Sequence, residues 1–118
     1  MKENIVQNKS YTFSLRIIKL YKHLIEDKKE YVLSKQVLRS GTSVGANIEE
    51  GVAAQSRKDF IYKLSISHKE ARETHYWIRL LRDSDFMEKK LAESILTDCE
   101  ELIKLLVSIL NTSKSKNA

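Results

Sequence analysis

Residues 33–51 read LSKQVLRSGTSVGANIEEG. Val37, Gly41, Val44 and Ile48 fall three or four residues apart, with Val52 next in the series, so one face of a helix carries them all. Ser34 stands where a side chain caps the free amides of a first turn. Gly51 stands where glycine closes a helix in the left-handed conformation. The helix is predicted over 34–50. Gly41 and Gly45 sit four apart on it, and each costs about 1 kcal/mol relative to alanine in a helix interior. Something must offset that cost. The simplest compensation is a neighbouring backbone approaching too closely for a side chain to fit, so this stretch predicts helix packed on helix.

The flanking sequence supplies the partners. A first helix is predicted over about 10–28, with Phe13, Ile17, Leu20, Tyr21 and Leu24 on one face. Ser10 is its candidate cap, Lys28 and Lys29 suit the negative end of its dipole, and Glu30 to Leu33 form the connection. A third helix is predicted over 56–82. Ser56-Arg57-Lys58-Asp59 resembles a capping box, and Phe60, Ile61, Leu64, Ala71, Ile78 and Leu81 face inward. Asp83-Ser84-Asp85 is read as a turn, and Asp85 with Glu88 as a second capping-box start. A fourth helix is predicted over 86–111. Leu91, Ile95, Cys99, Leu102, Leu106 and Ile109 form one stripe, and Ala92, Leu96, Ile103, Val107 and Leu110 a second beside it. The second stripe either widens the core or meets another subunit. The tail, Thr112 to Ala118, is expected to fray. Short links between long amphipathic helices make neighbours antiparallel, so the expected fold is all-α: an up-down-up-down four-helix bundle forming one domain over 1–118.

Composition agrees. The 118 residues contain no proline and three glycines, 31% are charged and 42% hydrophobic, which favours helices in a water-soluble domain. No apolar run approaches the roughly 18 residues that span a bilayer. Met1 to Ser10 lacks the apolar stretch of a signal peptide. A cytoplasmic protein with no membrane partner is expected. The lone Cys99 cannot form an internal disulfide and reads as a small core residue.

Catalytic patterns are missing. His68 and His75 lie seven apart on the third helix, His23 stands alone, and no Glu-x-x-His pair occurs. The histidines read as hydrogen-bonded core or interface residues. Ser43 and Ser65 have no base-and-orienter arrangement. Gly41, Gly45 and Gly51 miss both phosphate-cradling spacings. No enzyme activity, metal or cofactor is expected. Asn47, Glu50, Glu70 and Glu73 lie close to inner positions, where buried polar groups need partners. Asn47 or Glu50 is expected to bond across to the third helix at Arg72 or His75, so that Asn47, Glu50, Arg72, Glu73 and His75 form a network fixing helix register.

The net charge is +5 and unevenly spread. Ser10 to Lys29 has five basic and two acidic residues, Ser34 to Arg82 nine and five, and Asp83 to Ser113 three and seven. The first three helices are basic and the fourth acidic. Such a division suits a phosphate-binding face, an acidic face meeting the basic face of a second subunit, or a solvated surface with scattered pairs. The candidate phosphate contacts are Arg16, Lys19, Lys22, Lys35, Arg39, Arg57 and Lys58. Aromatic residues do not interleave clearly with them, so weak, salt-sensitive binding with little sequence readout is expected.

The run from Leu33 to Gly51 has the form Gln-x-x-Arg-Ser-x-x-Ser-x-x-x-Asn-Ile-x-Glu-Gly. It is followed by Ser56-Arg57-Lys58-Asp59-Phe60-Ile61 and by Lys69-Glu70-Ala71-Arg72-Glu73-Thr74-His75-Tyr76-Trp77. From about Leu15 to Leu110 the chain resembles the bacterial four-helix-bundle family first associated with intervening sequences of large-subunit ribosomal RNA. Glu49 departs from it, standing where the family often has alanine. The resemblance implies an antiparallel bundle assembling as a ring, commonly a homopentamer. It also implies kinship with the accessory variability protein of diversity-generating retroelements, a basic pentameric barrel that binds nucleic acid and a reverse transcriptase. Two functions follow as expectations. One is a non-enzymatic oligomer that binds RNA or DNA. The other is a protein–protein scaffold, with a reverse transcriptase as its partner.

Overall fold

A computed structural model describes residues 2–117, with side chains for 5–115. Four helices, α1 (Lys2–Glu26), α2 (Leu33–Val52), α3 (Arg57–Asp83) and α4 (Lys89–Asn117), make up its regular structure, with no strand among the described residues. Met1 and Ala118, the ends of the expected domain, lie outside the described residues.

The glycines of α2 explain how the bundle closes. A Cβ on Gly41 would lie 2.8 Å from both Cγ atoms of Ile17, and one on Gly45 would lie 3.1 Å from the Ser14 hydroxyl and 3.4 Å from the Ser10 carbonyl oxygen. On the other side of α2, a Cβ on Gly51 would meet a methyl of Leu64 at 2.5 Å. As α2 advances from Gly41 to Gly45, its contacts on α1 retreat from Ile17 to Ser10, so the two helices are antiparallel. The Thr74 hydroxyl donates to Ser40 and Ser67 to the Val44 carbonyl, giving α2 and α3 opposite directions. Cys99 donates to the Ala71 carbonyl and Arg16 to Asp98, tying α4 to α3 and α1. α1 packs on α2 and α4, and α3 on α2 and α4, while α1 and α3 occupy diagonal corners without packing on each other.

The core holds most of the expected stripes: Phe13, Ile17, Leu20 and Leu24 from α1, Val37, Val44 and Ile48 from α2, and Leu64, Ala71, Ile78 and Leu81 from α3 are buried. On α4 the first stripe is buried through Ile95, Cys99, Leu102 and Leu106. Ala92, Leu96 and Leu110 of the second stripe are buried too, and only Val107 is exposed. The second stripe therefore mainly widens the core.

Helix ends depart from the expected ones. α1 begins well before Ser10: Val6 is buried, and Ser10 is a fully buried interior residue that donates to the Gln7 carbonyl. Its small side chain lets Gly45 approach, and it caps nothing. Lys28 and Lys29 lie beyond the end of α1, with Lys29 at φ 56°. Ser34 does not cap α2. That work falls to the buried carboxylate of Glu30, which accepts from the amides of Val32, Leu33 and Ser34. Gly51 stays in the right-handed helix, which continues to Val52 and is closed by Ala53. Val52 itself is exposed.

Ser56 is the cap of α3, its hydroxyl accepting from the Asp59 amide. Asp85, at φ 67°, terminates α3 rather than opening α4. The amide of Phe86 donates to the Leu81 carbonyl and that of Asp85 to the Arg82 carbonyl, the double closure of a Schellman end. α4 accordingly starts three residues later than predicted, at Lys89, and continues to Asn117, within the tail expected to fray.

Candidate nucleic-acid interface

Polar side chains near the core mostly stitch helices together. Arg39 donates to Gln36, to Glu70 at 3.2 Å and to Glu73. Glu73 also accepts from the Trp77 indole at 3.0 Å. Glu50 crosses to α3 as expected but meets Lys63, at 2.7 Å, because the antiparallel register places Arg72 and His75 well up the bundle from it. Asn47 makes no crossing: its amide donates to the Ser43 carbonyl within α2. His75 faces α4 and pairs with Glu100 at 2.9 Å. Arg72 is exposed. The five residues thus form no single network: Asn47, Glu50, Glu73 and His75 each have a separate partner.

Burial pushes the Cys99 thiol up to about 12, with Glu100 and Asp98 adding to the effect, so it stays protonated. The sequence predicts a hydrogen-bonded His68, yet its Nε2 is buried without a partner among the described residues. Burial, with Arg72 and Lys114 nearby, holds that imidazole below its ordinary value. Among the described residues no three His, Cys, Asp or Glu side chains gather as a metal site, and no helix is long and apolar enough to cross a membrane. A groove of about 270 Å³ between α1 and α4, lined by Thr12, Phe13 and Leu102, is bridged by the Lys9–Glu101 pair at 3.2 Å.

The seven cations picked from the sequence do not form one surface. Arg16 is engaged by Asp98 at 2.7 Å and Arg39 by Glu70 and Glu73. Lys19, Lys22, Lys35, Arg57 and Lys58 are exposed and make no ion pair among the described residues. Lys19 and Lys22 lie on α1, diagonally across from Arg57 and Lys58 on α3. Lys35 belongs to α2.

A different grouping emerges on α3. Leu64, Ala71 and Ile78 repeat every seven residues and turn that side of the helix into the core. The opposite side carries Lys58, Tyr62, Lys69, Arg72, Tyr76 and Arg79, separated by four, seven, three, four and three residues. All six are exposed. None of the four cations makes an ion pair with a described residue. The Arg79 guanidinium lies 5.8 Å from the centre of the Tyr76 ring, within cation–π range. Asp83 ends the row, and Arg82, hydrogen-bonded to it, holds its carboxyl below the ordinary range. Reading α3 by its inner face alone hid this row. Its signal was the same helical spacing applied to lysine, arginine and tyrosine.

A second exposed row lies at the diagonal corner. Tyr11, Leu15 and Ile18 on α1 are 64%, 52% and 38% exposed. They recur at i, i+4 and i+7, so they form one apolar strip.

The model of a family described as 23S rRNA-intervening sequence protein matches residues 2–108. A crystal structure of a protein of unknown function from the S23 ribosomal protein family of Bacteroides thetaiotaomicron is 53% identical in sequence. It superposes with a TM-score of 0.92, over 94% of this chain and 99% of that one. No curated protein sequence matches the chain.

Proposed function

The chain belongs to the 23S rRNA-intervening sequence protein family, and from that premise we propose that it is a non-enzymatic accessory protein that binds RNA through the outer face of α3, with weak sequence specificity. The observation that carries this reading is the row of Lys58, Lys69, Arg72 and Arg79, exposed and free of ion pairs to the described residues. Phosphate contacts by such side chains release counterions and hold a nucleic-acid backbone without reading its bases. Arg57 adjoins the row, and Lys19, Lys22 and Lys35 are proposed as secondary contacts on other faces.

The apolar strip Tyr11–Leu15–Ile18 supports self-assembly. α1 and α3 stand at diagonal corners, so the strip itself lies away from the α3 row; a ring pairs it with a second, different patch of the next subunit. In a homopentamer, five chains of +5 carry a formal +25, which strengthens attraction to a polyanion. The same strip is the observation that favours the second reading, a scaffold for a protein partner such as a reverse transcriptase. Light scattering at several concentrations separates the two: a monomer at every concentration removes the assembly and leaves the strip to a different protein.

The RNA reading is tested by titrating the protein against labelled RNA over a range of ionic strength. Combining Lys69→Ala, Arg72→Ala and Arg79→Ala is expected to weaken binding at least tenfold at low salt. The log–log salt slope should flatten by about 2, since each phosphate neutralised on a single strand contributes roughly 0.7. Lys19→Ala with Lys22→Ala should do less. An equal loss from the α1 pair would overturn the assignment of the interface to α3 alone. No binding to any RNA at low ionic strength would end the reading.

A further inference from the structure

We propose that the α3 face selects single-stranded RNA, whose bases stack on Tyr62 and Tyr76 while Lys69 and Arg72 hold the phosphates between them; this rests on the RNA-binding reading above and names the ligand's class. Charge alone does not call for the tyrosines. Tyr62 and Tyr76 are 62% and 48% exposed. Each lies in line with the cations, so a backbone following the cations passes both rings. They are 14 residues apart, about 21 Å along the helix axis. Lys69 falls midway between them, with Arg72 close behind. At roughly 3.4 Å per stacked nucleotide, that distance is spanned by about six nucleotides, or fewer where the strand is splayed.

The Tyr76 platform is built into the bundle. Its ring meets Trp77 edge-on, with centres 5.2 Å apart and planes at 64°. Trp77 is anchored by its indole hydrogen bond to Glu73, and Glu73 is anchored by Arg39 of α2. Arg79 lies against the Tyr76 ring, leaving the remaining exposed surface of the ring for a base. A ring fixed beforehand loses little freedom when a base stacks on it.

A duplex cannot use these rings. Its bases are already stacked inside the helix, and the deep, narrow major groove of A-form RNA keeps side chains from their edges. It meets only the cations. A single strand meets the cations and the rings, and stacking on one aromatic side chain is worth about tenfold in affinity.

The test compares an unstructured oligoribonucleotide of about 12 nucleotides, twice the spanned length, with the same strand annealed to its complement. Fluorescence anisotropy at low ionic strength should show the single strand binding at least tenfold more tightly. Tyr62→Ala and Tyr76→Ala should each cost the single strand about tenfold and leave duplex binding unchanged, while Tyr62→Phe and Tyr76→Phe retain the preference. Trp77 is the sole tryptophan, so its emission should respond to the single strand and not to the duplex. Equal affinity for both forms, with alanine variants indistinguishable from wild type, would overturn the stacking proposal and leave a purely electrostatic RNA-binding face. Failure of both forms to bind would overturn the RNA reading itself.

Discussion

Gly41→Val is expected to lower the free energy of unfolding by about 3 kcal/mol in the wild-type background, and by less where Ile17→Ala has already opened space. A Cβ at position 41 would lie 2.8 Å from two carbons of Ile17, and 3.2 Å from a third. Ile17 is fully buried, and branching at its own Cβ leaves it few rotamers with which to withdraw. Alanine at 41 gains about 1 kcal/mol of helix propensity, so Gly41→Ala should show only part of the clash. Valine adds two further carbons, and overpacking of a closed core costs about 1–3 kcal/mol, occasionally more. Ile17→Ala alone should cost about 2–5 kcal/mol through lost burial and a cavity. The added valine occupies some of that cavity, so the double variant should be more stable than the two single losses predict, by at least about 1 kcal/mol. Gly45→Ala is the contrasting case. Its nearest neighbour is the Ser14 hydroxyl at 3.1 Å, and the gain in propensity should hold its effect within about 1 kcal/mol. Urea unfolding followed by circular dichroism, at one fixed protein concentration, measures all five. Strictly additive losses at 17 and 41 would mean that the helices do not meet there.

The same contacts show why the fold was easier to read than the site. The spacing of Val37, Gly41, Val44 and Ile48 reports a buried face directly, and two glycines within a helix report close packing because nothing else offsets their cost. Their role in the bundle follows from burial alone. Helix ends depend on a few local hydrogen bonds, and these the sequence disguised. Gly51 looked like a left-handed terminator, yet it is spent on the approach of Leu64. The left-handed residues are instead Lys29 and Asp85, which carry no glycine signal. Ser10 looked like a cap because residues 2–9 offer only Ile5 and Val6 as apolar markers of an earlier start.

The distinctive run in α2 turns out to report architecture. Ser40, Gly41, Gly45 and Gly51 are small where neighbours press in, and Arg39 and Glu50 hold α3. These residues join α2 to its neighbours. The candidate interface lies on the outside of the next helix, where hydrophobic spacing gives no guide. Which cations are already paired is a matter of tertiary geometry. Arg16 meets a carboxylate 82 residues away and Arg39 meets two more than 30 residues away, so no local reading separates them from Arg72 and Arg79.

Glu30→Ala should cost about 2–3 kcal/mol, and Glu30→Gln about 1–2 kcal/mol, because one carboxylate serves the whole N-terminus of α2. Its Oε2 accepts from the amides of Val32 at 3.2 Å and Leu33 at 2.9 Å, and its Oε1 from that of Ser34 at 2.6 Å. Alanine leaves the buried Ser34 amide without this acceptor. Glutamine keeps one acceptor oxygen but loses the second and the negative charge that suits a helix N-terminus. Burial alone would raise the carboxyl's pKa, but the hydrogen bonds from Leu33, Ser34 and Val32 outweigh it and hold the group below its ordinary 4.5. The sign of the pH effect follows from that direction. Between the lowered folded value and 4.5, the unfolded chain binds this proton more readily than the folded one, so stability rises with pH in that interval. The contribution is complete above about 4.5 and disappears as pH falls through the folded value. Urea midpoints of the wild-type protein should therefore fall on acidification from about pH 5 to pH 3 more steeply than those of Glu30→Gln, which has no proton to gain at this position. If the two proteins lose stability in parallel over that interval, the carboxylate is not what holds the first turn of α2, and the amides of Val32, Leu33 and Ser34 are satisfied some other way.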